Sequence, residues 1–240
     1  MQAILKTLRE NSRLVDRYGW ATLWKPALFL TLILAVLLPA AGPRDYPGAW
    51  LFILTYVIYI PVYMLLLIAT NPDLVNQRGR PFREGTKPFE FRFFVIWRIS
   101  TVVMLLVAGL DVRYGWSHVS LTCMWTAFIV SNVFNLIGIW PMMVNRHFET
   151  TVRIQKERDH RVVDTGPYRF VRHPGYAFAA PYLVTSALIL QSLWALLPTT
   201  VILGAFLWRT AKEDQMLHEE LDGYREYAKL VRWRWIPGLW

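Results

Sequence analysis

Residues 50–70 read WLFILTYVIYIPVYMLLLIAT, twenty-one positions without a charge. At about 1.5 Å per helical residue such a run reaches about 30 Å, the thickness of a bilayer's hydrocarbon core. It therefore reads as a membrane helix. Five further apolar stretches flank it, at 26–41, 93–110, 119–144, 177–190 and 193–208. The last two are short and separated only by Gln191-Ser192, which predicts an antiparallel helical hairpin. Pro181 and Pro198 should bend its arms.

Composition agrees with this reading. Hydrophobic residues make up 55% of the 240 positions and charged residues only 18%, against about 45–50% and about 25% in soluble domains. The expected fold is all-α: a polytopic helical membrane protein of about six membrane helices, including the short C-terminal hairpin. No Gly/Ser/Pro-rich linker divides the chain, so one compact membrane domain is expected. By character it falls into an N-terminal interfacial amphipathic segment (1–25), a four-helix membrane region (26–144) and a C-terminal polar and hairpin region (145–240). In the first, Leu5, Leu8 and Leu14 interleave with Lys6, Arg9, Arg13 and Arg17, and Trp20 and Trp24 follow. A solvated arm would show the same pattern.

The net charge of +9 raises nucleic acid as a partner, but the charges lie between apolar runs, which points to a membrane surface and lipids instead. Lys and Arg number five in 1–25, five in 71–92, seven in 146–175 and six in 209–240. Arg44 and Arg113 stand alone in two other loops, and Arg98 lies inside the third stretch. If all six stretches cross, 23 of the 26 basic residues share one side. The positive-inside rule makes that side the cytoplasm, with both termini there. Arg98 reads as a snorkelling side chain, and Asn132 and Asn135 as helix–helix hydrogen-bonding groups. The five histidines show no short metal-ligand spacing, and the single Cys123 forms no internal disulfide.

The chemistry concentrates after the fourth stretch. Asp164-Thr165-Gly166-Pro167-Tyr168-Arg169-Phe170-Val171-Arg172-His173-Pro174-Gly175-Tyr176 enters the hairpin, with turn signals at Gly166-Pro167 and Pro174-Gly175. The hairpin returns to Arg209-x-x-x-Glu213-Asp214. A short connection forces the two ends together, so Arg172 and His173 should face Glu213 and Asp214 across one polar site. Each element alone has a plainer reading. His173 suits a helix end, Arg209 and Glu213 suit an i,i+4 ion pair, and Tyr224 and Tyr227 suit the interface.

Their joint order is more specific. Gly166-Pro167-Tyr168, Val171-Arg172-His173-Pro174-Gly175-Tyr176, a hydrophobic hairpin, Arg209-x-x-x-Glu213-Asp214-x-x-Leu217, and Gly223-Tyr224-x-x-Tyr227 with Arg232, Arg234 and Pro237 resemble the isoprenylcysteine carboxyl methyltransferase and phospholipid methyltransferase family. Asn71-Pro72-Asp73-Leu74 with Arg78, and Asn145-x-x-Phe148, resemble its bacterial members. Two positions depart from the pattern: Phe178 stands where the family has glycine, and the family's paired glutamates are Glu213-Asp214.

The resemblance implies an integral membrane enzyme, in a bacterial inner membrane, with its active site facing the cytoplasm. It implies S-adenosylmethionine as cofactor and a lipophilic or small-molecule methyl acceptor. Gly166, Pro167, Tyr168, His173, Pro174, Tyr176, Glu213 and Asp214 then become cofactor-binding residues. Carboxylates suit the cofactor's ammonium, and aromatic faces suit its sulfonium. Arg172 or Arg209 is expected to hold an anionic acceptor. A membrane reductase using a nicotinamide cofactor, of the sterol-reductase type, shares the C-terminal outline. A non-catalytic transporter or scaffold would explain the helices but not the motif order.

Overall fold

The structure, a computed structural model, describes residues 2–22, 24–43 and 45–240. Arg44, counted above in a loop, lies outside the described residues, as do Met1 and Leu23 of the N-terminal segment. The described residues form helices and no strand. In chain order these are α1 (Gln2–Ser12), α2 (Arg17–Ala21), α3 (Trp24–Ala41), α4 (Pro47–Thr70), α5 (Pro72–Arg78), α6 (Phe89–Tyr114), α7 (Leu121–Ile137), α8 (Trp140–Val144), α9 (Pro174–Ile189), α10 (Leu196–Glu220) and α11 (Tyr224–Leu230). Among them, Arg17–Ala41, Pro47–Thr70, Phe89–Tyr114 and Leu121–Val144 are long and apolar enough to cross a membrane.

The N-terminal segment is broken rather than continuous. Asp16 caps α2, its carboxylate accepting the Tyr18 and Gly19 amides at 2.9 and 2.8 Å. A side chain that satisfies free N–H groups favours a fresh helix start over continuation of α1. Asn11 ties α1 to the end of α4 through the carbonyls of Ile68 and Ala69.

The C-terminal hairpin also differs from expectation. Its arms are joined by residues 190–195, not by two residues alone, and α10 runs on to Glu220, three turns beyond the apolar stretch. Leu190, Ser192 and Ala195 of the connection are buried, while Leu193 and Trp194 are exposed, and its buried polar groups are satisfied. The fully buried Asp111 accepts hydrogen bonds from Ser117 Oγ at 2.6 Å and Ser192 Oγ at 2.5 Å. Tyr46 Oη donates to the Leu190 carbonyl at 2.6 Å. The arms then part company, α9 packing chiefly on α7 and α10 on α6, whose other face meets α3. Ile33, Leu37, Phe52, Leu105, Met124 and Ile189 form the centre of this helical core. One end of it is thus pinned at Asp111, and the other opens into the polar region.

Candidate functional site

At that open end the sequence builds α9 and α10 so that their polar residues converge. Pro174 begins α9, a position where the missing N–H costs nothing. The residues before it turn away and pair with the chain's last segment. Arg172 and His173 donate their backbone amides to the carbonyls of Trp233 and Arg234 at 2.8 and 2.9 Å. This places the Arg172 and His173 side chains over the last three turns of α10.

There the two neighbouring acids have opposite situations. Asp214 is buried and saturated. Its Oδ1 accepts from Arg172 Nε (2.9 Å), His173 Nε2 (3.0 Å) and Tyr224 Oη (2.8 Å). Its Oδ2 accepts from Arg172 Nη2 (3.0 Å) and Arg234 Nε (2.9 Å). Burial by itself would raise this carboxyl's pKa. The hydrogen bonds from His173 and Arg172 outweigh it and hold the group well below the usual carboxylate range. Arg172 has spent four of its five N–H donors, since besides its pair with Asp214 its Nη1 caps the carbonyls of Val231 and Arg232 at 2.9 and 2.7 Å.

Glu213, one residue earlier on α10, faces a cavity of about 260 Å³. Its hydrogen-bond partner is Tyr176 Oη at 2.6 Å, and no Lys, Arg or His among the described residues lies within ion-pair distance of it. The Tyr176 ring is fixed on both sides. Trp235 stacks on it with centroids 6.1 Å apart, and the Arg209 guanidinium lies 5.6 Å from its centre. Trp235 is itself held by Nε1 donating to Thr210 Oγ1 at 3.0 Å.

Arg209 does not pair with Glu213 along the helix. It forms a bidentate pair with the fully buried Glu90 of α6, both bonds 2.7 Å, and donates to the Thr150 carbonyl at 2.9 Å. Its guanidinium also covers the Phe93 ring at 4.5 Å. Glu90 had no signal in the sequence beyond being a charge at the start of an apolar run. Its partner lies 119 residues away, and no local spacing reports that.

Of the residues singled out in the sequence, Tyr168, Arg172, His173, Pro174, Tyr176, Arg209 and Glu213 all border this one cavity. Gly166, Pro167 and Asp214 do not; they sit behind its wall. Gly166 starts a short 3₁₀ turn at φ +58°, in the left-handed region that favours glycine. That turn presents Tyr168, whose Oη accepts from Asn145 Nδ2 at 2.9 Å and whose carbonyl accepts from Tyr227 Oη at 2.7 Å. Gly175 has a different reason. A Cβ there would lie 2.4 Å from the Phe148 ring. The departure at Phe178 is accommodated across the helix pair: Gly138, at the end of α7, faces the Phe178 Cβ.

Residues 145–165 cover the cavity's outer side. Buried Glu149 draws in Arg83 (2.6 Å), Arg153 (2.8 Å) and Arg158 (3.6 Å). His147 and His160 lie against each other, ring centroids 4.4 Å apart and planes tilted by 31°. Burial, then the neighbouring His147 and arginines 153 and 158, push the His160 pKa down to about 3. Burial lowers His147 as well.

Comparison with known proteins meets this geometry. Residues 122–219 match the family described as the isoprenylcysteine carboxyl methyltransferase (ICMT) family. Two rice proteins, from Oryza sativa subsp. indica and subsp. japonica, are each named probable protein-S-isoprenylcysteine O-methyltransferase. Each is 26% identical over 105 residues, covering 43% of this chain and 54% of the relative. The chain thus spans about half the length of the curated relatives it matches. The matched segment contains α7 to α10, and with them His173, Tyr176, Arg209, Glu213 and Asp214. Over that segment the chain is similar to the isoprenylcysteine carboxyl methyltransferase family, and four of its helices are long and apolar enough to cross a membrane.

Proposed function

We propose that this protein transfers a methyl group from S-adenosylmethionine to a lipophilic acceptor at the cytoplasmic face of a membrane. In this reading all six apolar stretches cross, both termini are cytoplasmic, and the charge split of the sequence sets the orientation. The observation that carries the reading is Glu213. It is a carboxylate in a cavity, oriented by Tyr176 Oη, with no cation of its own. Such an anion complements a cationic ligand far better than a neutral one.

When bound, the cofactor supplies an electrophilic methyl group on a sulfonium. The chain's residues provide binding and orientation. Glu213 receives the cofactor's positive charge, and the aromatic walls, Tyr176, Phe93 and Phe206 among them, present π faces to it. Asp214 touches nothing in the cavity and acts through others, fixing Arg172 and His173 against the wall. Arg209 holds Glu90 and steadies Tyr176, so the two arginines serve as positioning residues in this proposal and the acceptor's anion is not theirs to hold. The loop 145–165 excludes water, and exclusion strengthens every charge interaction inside. An acceptor that is already an anion requires no strong base, which fits a cavity whose one histidine on α9's threshold is engaged with Asp214.

The test is equilibrium binding of labelled S-adenosylmethionine to protein purified in detergent, with NADPH as competitor. Binding that NADPH does not displace, and that Glu213→Gln abolishes without lowering thermal stability, is expected. Wild-type protein that binds NADPH and not S-adenosylmethionine refutes the proposal.

A further inference from the structure

Most cations bordering the cavity have a carboxylate partner: Arg153 has Glu149 and Glu157, Arg161 has Asp159, Arg172 has Asp214, and Arg209 has Glu90. Arg78, at the end of α5, is different. Nε donates to Tyr63 Oη at 2.8 Å and Nη1 to the Phe148 carbonyl at 3.1 Å, both neutral acceptors. No carboxylate among the described residues lies within ion-pair distance of it.

Two more cations stand beside it. Lys25, in the first turn of α3, donates Nζ to the Arg78 carbonyl at 2.6 Å. Arg98, on α6, is near enough to act on Lys25 electrostatically, as is Arg78. Lys25 and Arg98 are exposed, and each belongs to a helix long and apolar enough to cross the membrane. Neither has a carboxylate partner among the described residues. Three mutually repelling cations gathered from three helices, with their remaining donors unspent, cost free energy unless an outside anion joins them. Their placement selects the anion. Lys25 and Arg98 are exposed on helices apolar enough to cross a membrane, and Arg78 reaches the cavity wall.

We propose that Lys25, Arg78 and Arg98 form a clamp for the phosphate of an anionic membrane lipid at the cavity's edge. A lipid phosphate sits at the depth where basic residues at helix ends reach, and anionic lipids add net negative charge to it. Arg78 offers a guanidinium fork, the geometry that phosphate oxygens accept. The clamp stands independently of methyl transfer, since it rests on charge placement alone.

The experiment titrates detergent-purified protein with dioleoylphosphatidylglycerol, dioleoylphosphatidylcholine or inorganic phosphate, and reads retained lipid by native mass spectrometry. Wild-type protein is expected to retain phosphatidylglycerol over phosphatidylcholine. Each cation near an anionic lipid contributes roughly fivefold in affinity, so Lys25→Gln/Arg78→Gln should weaken phosphatidylglycerol retention about 25-fold. Lys212→Gln/Lys229→Gln removes the same charge elsewhere and should leave retention unchanged. Arg98→Gln, at an exposed position, gives a second reading of about fivefold if the double variant fails to fold. Equal retention of the two lipids, equal loss in the Lys212/Lys229 control, or displacement of the lipid by inorganic phosphate at matched concentration overturns the clamp. Loss of S-adenosylmethionine binding in the Arg78 variant with lipid preference intact also overturns it, because Arg78 would then be serving the cofactor.

Discussion

Replacing Asp214 by Asn removes one charge and two acceptor lone pairs from a side chain that accepts five hydrogen bonds. Arg172, with its side chain 7% exposed, loses both halves of a bidentate pair. Arg234, His173 and Tyr224 each lose or weaken a partner. The Asn amide would also direct N–H groups at guanidinium N–H groups. Leaving a buried charge without its partner costs about 3–5 kcal/mol. Summing the five bonds at about 1.5–3 kcal/mol each would overshoot, since they share one carboxylate and are not independent. With about 2–4 °C per kcal/mol for a chain of this size, the melting temperature should fall by about 6–20 °C. The assay is thermal unfolding in detergent followed by tryptophan fluorescence, with Glu213→Gln in parallel. Glu213→Gln should shift the midpoint by no more than about 2 °C, the scale of a surface substitution. The Asp214 carboxyl is depressed in the folded state, so its stabilisation is complete above about pH 4, the unfolded value, and is lost as pH falls below it. The gap between wild type and Asp214→Asn should therefore narrow in acid. A loss under about 1 kcal/mol at neutral pH, or equal losses for the two acids, would show that the division of labour between them is wrong.

Other expectations follow from the same geometry. Glu90→Gln should destabilise by about 3–5 kcal/mol, whereas Glu90→Leu with Arg209→Met should recover most of that loss; unfolding midpoints of the two variants decide. Gly175→Ala drives a methyl into the Phe148 ring and should cost about 1–3 kcal/mol, with Gly175→Ala/Phe148→Leu restoring stability in the same assay. Burial lowers the pKa of the neighbouring His147 and His160 in the folded state, so the unfolded chain takes up protons first. Stability they contribute is present above about pH 6.5 and drains as pH falls toward about 3, the His160 value. His160→Gln should flatten that part of the stability–pH curve, measured at constant ionic strength.

The helical membrane character was legible because bilayer thickness imposes run length, and runs such as 50–70 are visible without any partner. The meeting of Arg172 and His173 with Asp214 was expected from a short hairpin connection, but the arms diverge onto α7 and α6, and it is the segment 231–234 that holds Arg172 and His173 beside Asp214. What the reading missed shares another cause. Asp16 starts a new helix by a local cap, yet an amphipathic pattern runs through it, so the break in the N-terminal segment was masked. The partition between Glu213 and Asp214 is invisible in a dipeptide of acids. It depends on which face of α10 meets Tyr224 and Arg234, residues from a segment that returns much later. Arg209 offered a ready local partner at i+4, but burial against α6 favoured the bidentate Glu90 instead. Distant pairings of this kind leave no periodicity.

The segment 231–235 lends its carbonyls to Arg172 and to the amides of Arg172 and His173, and its Trp235 props Tyr176. The membrane helices can be inserted well before that segment, but the wall that orients Glu213 cannot close until synthesis has gone past Trp235. A chain cut short before Trp235 therefore keeps its long apolar helices but leaves Tyr176, and with it Glu213, without that support.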